Sequence, residues 1–132
     1  MGAAPLITAL YAASLAVLAV GLGGRVAMLR VRLRVGIGDG AKGELARAIR
    51  VHANLLETAP IALLLLLIAE ATAALGPAAL HGAGVMLVVG RLLHAFGLGR
   101  SAGASPGRFI GMLLSWAVTL ALAVAVAARA LR

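Results

Sequence analysis

Long apolar runs alternate along this chain with short breaks rich in glycine or carrying proline. The runs fall at residues 5–28, 44–70, 78–98 and 107–127. At about 1.5 Å per residue, a helix of some twenty residues crosses a hydrocarbon core of about 30 Å. The pattern predicts an all-α integral membrane protein, a single four-helix transmembrane domain over residues 1–132. The first run carries no charge before Arg25, and the basic segment after it, with Arg30, Arg32 and Arg34, is expected to carry the helix out of the lipid, its arginines snorkelling to head groups. The break from Val35 to Gly43 holds Gly36, Gly38 and Gly40. No strand precedes its Gly-x-Gly and no Gly-Lys-Ser/Thr follows, so a phosphate-cradling loop is not expected. Asp39 or Gly43 is expected to cap the second helix, with Glu44 placed against its N-terminal dipole. Gly76-Pro77 marks the second break, and the third runs from Leu98 to Pro106.

One run departs from the apolar pattern. In the second helix Arg47, Arg50, Asn54 and Glu57 recur at offsets of three, four and three, which puts them on one stripe of a helix. A charged stripe entering lipid must face protein, water or ligand, because a charge left in hydrocarbon costs about 2.5–3.5 kcal/mol or more. The stripe is therefore the first candidate for a site.

Composition agrees with the membrane reading. The chain is 63% hydrophobic and 12% charged, far too apolar for a soluble domain. With no cysteine there is no disulfide. The formal charge of +8 is explained by basic residues flanking spans, and no interleaving of basic and aromatic residues points to nucleic acid as a partner. Residues 1–5 carry no positive charge, so the first run reads as a retained helix and not as a cleaved leader. Ten of the twelve Lys and Arg lie in residues 25–50 and 91–108. By the positive-inside rule these segments face the cytoplasm, which sets both termini on the periplasmic side.

That topology gathers Arg47, Arg50, His52, Asn54 and Glu57 with Arg91, His94 and Arg108 at the cytoplasmic mouth. Cations outnumber the one acid, so the mouth should prefer an anion, and guanidinium forks suit a small ligand with several carboxylates. The competing reading is that these side chains only pair, Glu57 with Arg50 or Arg91, and Asn54 as a fastener of the bundle. No metal site is expected: no cysteine or carboxylate stands at ligand spacing from His94. Glu70 and His81 read as boundary residues at the other end.

Arg30 to Asp39-Gly40, Glu44-Leu45, then Arg50-Val51-His52-Ala53-Asn54-Leu55-Leu56-Glu57-Thr58-Ala59-Pro60, Glu70 and Gly90-Arg91-Leu92-Leu93-His94 together resemble the MAPEG family, the membrane-associated proteins in eicosanoid and glutathione metabolism. The likeness is nearest its short bacterial branch and covers about residues 5–127. It implies a four-helix subunit in an inner-membrane homotrimer. It further implies glutathione, as co-substrate, held between subunits by Arg50, His52, Asn54 and Glu57, with Arg91 and His94 alongside. Arg108 matches the arginine near the glutathione thiol and is the implied catalytic residue, for conjugation to an apolar electrophile arriving from the lipid or for peroxide reduction. Against the family pattern, this chain has Met112 where transferases and synthases often carry tyrosine, Leu98 where eicosanoid-forming members have tyrosine, and Thr58 where bacterial relatives often have an aromatic. The binding frame thus matches more fully than the catalytic equipment, and a non-catalytic membrane protein with interhelical pairs is the alternative.

Overall fold

The computed structural model describes residues 4–100, 103 and 105–132. It contains four α-helices in sequence: α1 (Leu6–Leu33), α2 (Gly43–Ala71), α3 (Pro77–Arg100) and α4 (Pro106–Ala130). All four are long and apolar enough to cross a membrane, and no strand occurs among the described residues. The chain is thus an all-α integral membrane protein, as the hydropathy pattern predicts.

The helix ends follow from local chemistry. α1 continues through the basic segment and closes at Arg34, held in the left-handed region at φ 54°, ψ 43°. The Val35 N–H then bonds back to the Arg30 carbonyl at 3.0 Å, which satisfies an acceptor that the helix end would leave open. Arg30 also clasps the turn from its side chain: Nη1 donates to the carbonyls of Val35, Gly36 and Gly38, the last at 2.8 Å. Neither Asp39 nor Gly43 caps α2. Gly43 is its first residue and Lys42 the cap position, with no side-chain cap bond. Asp39 is spent on the turn itself, where its Oδ1 accepts from the Ala41 N–H at 3.0 Å and its carbonyl from Lys42 at 2.9 Å. That turn needs positive φ at Gly38, Gly40 and Ala41, so the carboxylate is drawn to the loop backbone. Glu44 does occupy the first turn of α2, paired with Arg32 of α1. α4 opens on Ser105, whose hydroxyl accepts from the Arg108 N–H at 3.4 Å, with Pro106 at the first helical position, where its missing N–H costs nothing.

α2 and α3 form the centre. α1 packs on both, α4 packs on both, and α1 and α4 do not pack on each other. The shared core contains Leu15, Leu55, Leu66, Leu87, Val118 and Leu122, all buried. Hydrophobic attraction between helices is weak in lipid, so close approach through small residues matters more. At the α3/α4 seam a Cβ on Gly90 would lie 3.0 Å from the Gly111 carbonyl, and one on Gly107 would lie 3.2 Å from the Leu93 carbonyl. Gly84 is filled by the ring of Tyr11, whereas Gly82 faces open space. Apolar side chains such as Val17, Val20, Leu120 and Val124 are two-thirds or more exposed, which suits a surface solvated by lipid.

At the end remote from the glycine-rich loops, Glu70 of α2 caps α1. Its carboxylate accepts from the Ile7 N–H at 2.9 Å and the Thr8 N–H at 2.7 Å. Tyr11 donates its hydroxyl hydrogen towards His81, with Nδ1 at 2.9 Å and the carbonyl at 3.1 Å. Arg129 Nε donates to the Thr72 carbonyl at 2.9 Å. Glu70 and His81 are therefore interhelical fasteners.

Candidate functional site

The polar stripe of α2 is wide enough to face two ways. With 100° per residue, Arg47 and Asn54 lie about 20° apart, Arg50 about 40° beyond Asn54 and Glu57 about 20° beyond Arg50. The inner edge of this arc, Arg47, Asn54 and Arg50, lines a cleft of about 280 Å³ together with Ala46, Leu98 of α3 and Arg108 of α4. Glu57 lies at the outer edge, on the exposed side, where it meets Arg50 Nη1 at 3.5 Å. The cleft walls thus carry three guanidinium groups and no carboxylate. Arg47 and Arg108 pair with no acid among the described residues, and the buried Nε of Arg47 has no partner.

Arg108 reaches this position through helix contact. The α4 N-terminus lies against Gly97 of α3 so closely that a Cβ there would strike the Arg108 backbone nitrogen and the Ser105 hydroxyl. The glycine lets the first turn of α4, with its arginine, cross the end of α3. Leu98, next in the chain, is buried and forms the apolar wall.

Arg91 and His94 lie behind the cleft and not on its surface. Arg91 is only 3% exposed. Its Nη1 donates to Asn54 Oδ1 at 3.1 Å, to the Asn54 carbonyl at 3.4 Å and to the Thr58 hydroxyl, and its Nη2 to the Gly111 carbonyl at 3.5 Å. One guanidinium thereby ties α3 to α2 and α4. Thr58 donates in turn to the Asn54 carbonyl at 2.7 Å. His94 is buried against Gly111, where the α3 and α4 backbones nearly touch. His52 points away from the cleft: it packs on α1, 3.3 Å from where a Cβ on Gly23 would stand. On the α2 wheel it is about 140° from Arg47.

Of the residues singled out from sequence, the structure brings Arg50, Asn54 and Arg108 together in one cleft. It places Arg91 and His94 behind them, Glu57 on the rim and His52 against α1. Arg47 belongs with the first group, although the family resemblance alone does not select it. Its 20° offset from Asn54 is the signal that marks it. Among the described residues no three His, Asp or Glu side chains gather as a metal site.

Comparison with known proteins agrees with the architecture. The model of the MAPEG family matches residues 8–128. The chain is also similar to the inner membrane protein YecN of Escherichia coli K12, with 36% identity over 120 residues, 91% of this chain and 89% of that protein. YecN of Escherichia coli O6:H1 matches at the same identity and coverage.

Proposed function

The chain belongs to the MAPEG family, and on that premise we propose that it binds glutathione, or a similar small anionic thiol, in the cleft between α2 and α4. The observation that carries this reading is the meeting of Arg47, Arg50 and Arg108 around about 280 Å³ with no carboxylate in the wall. Three guanidinium groups, of which only Arg50 meets an acid at the rim, favour an anion, and their planar forks match carboxylates. Glu57 on the rim, already beside Arg50, offers a counter-charge to the ligand ammonium group. A thiol with a pKa near about 8.5 becomes a stronger nucleophile when a cation favours its thiolate. Arg108 is the group assigned that role, with attack on an electrophilic carbon of an apolar molecule drawn from the lipid, which expels its leaving group, or on a peroxide, whose O–O bond breaks while a second glutathione completes the disulfide and alcohol and water leave.

The same proposal places the protein in a bacterial inner membrane, in line with the name of its relative, with the glycine-rich loops cytoplasmic and both termini periplasmic. It further assigns a homotrimer in which a neighbouring subunit closes the open side of the cleft. The test is calorimetric titration of glutathione into the detergent-purified protein, beside Arg50→Ala and Arg108→Gln. Saturable binding weakened by more than about 1.4 kcal/mol, a factor of ten, in both variants bears the reading out. A well-folded oligomer that does not bind glutathione overturns it. A second reading, purely structural pairing, draws on the Arg50–Glu57 pair and on the four acceptors around Arg91, and that negative result would favour it.

A further inference from the structure

We propose that Arg91 is a positioning residue for the cleft: it turns the Asn54 side chain so that the amide N–H groups face the ligand, which makes the cleft selective for a group that only accepts hydrogen bonds. This rests on the cleft being the ligand site proposed above.

The orientation follows from donor and acceptor chemistry. A guanidinium has five N–H donors, no acceptor, and stays protonated in proteins. Arg91, almost fully buried, presents Nη1 to the Asn54 side chain at 3.1 Å. Only the amide oxygen can answer it there. A flipped amide would set N–H against N–H at that distance, an opposition that the bonds of Nη1 to the Thr58 hydroxyl and the Asn54 carbonyl do not relieve. The neighbouring groups reinforce the choice. The Thr58 hydroxyl spends its hydrogen on the Asn54 carbonyl, at 2.7 Å, and so offers lone pairs to Arg91. The Asn54 carbonyl accepts from Nη1 at 3.4 Å, and the Gly111 carbonyl holds Nη2 from the α4 side. Arg91 is thus fixed from two helices before it meets the Asn54 side chain.

With Oδ1 committed, the free end of Asn54 is its NH₂ group, and no described residue accepts from it. Asn54 lines the cleft beside Arg47, Arg50 and Arg108. Every polar side-chain group in the wall is then a hydrogen-bond donor. A carboxylate, sulfonate or phosphate oxygen is received by all of them. A carboxamide brings its own N–H groups, which meet donors and lose their partners. The buried arginine behind the wall therefore sets which chemistry the wall accepts, although it does not touch the ligand itself.

The experiment compares glutathione with its two monoamides, each with one carboxylate converted to carboxamide, by titration into the full-length protein in detergent. The wild type should reject at least one monoamide by tenfold or more. Arg91→Gln should shrink that rejection to under threefold. Asn54→Asp keeps an acceptor for Arg91 but turns a carboxylate towards the cleft. It should melt at the wild-type temperature and bind glutathione at least tenfold more weakly. Two results overturn the inference: a lower melting temperature in Arg91→Gln with selectivity unchanged, or wild-type binding in Asn54→Asp. Should the wild type fail to bind glutathione, the proposed ligand falls separately. The positioning role is then decided by sulfate titration followed by NMR at the Asn54 side-chain amide: a shift in the wild type that Arg91→Gln abolishes supports it, and equal responses overturn it.

Discussion

Replacing Gly84 by alanine puts a methyl group onto the ring of Tyr11, which fills the space above that glycine. Tyr11 cannot yield freely. It is 7% exposed, packed with Leu15 and Leu87 in the core, and its hydroxyl is held at His81. Three effects decide the magnitude. Alanine favours the helix by about 1 kcal/mol over glycine. Forcing the ring aside costs about 1–3 kcal/mol, and losing the tyrosine hydrogen bond costs about 1 kcal/mol more. The net expectation is destabilisation by about 1–3 kcal/mol, with steric cost outweighing helix propensity. Reversible unfolding in mixed detergent micelles, followed by circular dichroism, measures it. The decisive comparison is the same substitution in a Tyr11→Val background, where the space is free and only the propensity gain of about 1 kcal/mol remains. The sign should reverse. Equal destabilisation in both backgrounds would refute the claim that the ring limits position 84.

Other outcomes follow from the same geometry. Glu70→Gln keeps one good acceptor for the first turn of α1 but loses the charge; it should cost about 1 kcal/mol and speed hydrogen exchange at the Ile7 and Thr8 amides. Glu57→Gln should change stability by less than about 0.5 kcal/mol, because the pair with Arg50 is exposed on both sides and 3.5 Å long; a weaker affinity for glutathione in that variant would then be a ligand effect, read by calorimetry on a protein with unaltered melting. Thr58→Val removes an acceptor from buried Arg91 and should destabilise by about 1–3 kcal/mol in the same micelle assay. Ser105→Ala removes the α4 cap and should loosen the turn that carries Arg108, lowering stability by about 1 kcal/mol.

The helices were legible because each apolar run is long enough to cross lipid and is broken by glycine or proline, features that depend only on neighbouring residues. The polar stripe of α2 was legible for the same reason, since helical period alone puts Arg47, Arg50 and Asn54 together. Less was visible where the partner sits on another helix. Nothing in the spacing of Glu70 discloses that it serves the amides of Ile7 and Thr8, more than sixty positions earlier in the chain. The rotation of α3 about its own axis decides whether Arg91 lines the cleft or stands behind it, and that rotation is set by Gly90 and Gly97 against α4, not by the period of α3 itself. The loop turn shows the reverse case, where a local rule named Asp39 as a helix cap and a nearer backbone amide claimed it.

The contact pattern also bears on how the molecule is made. α4 rests only on α2 and α3, and it alone brings Arg108. It is also synthesised after α1, α2 and α3. α1 and α2 can fasten to each other early, once Glu70 has been synthesised and can reach the amides waiting at the start of α1. Until α4 docks, the wall that holds Arg47 and Arg50 has no opposite side, so a nascent or truncated chain can carry most of the fold and still have no anion cleft.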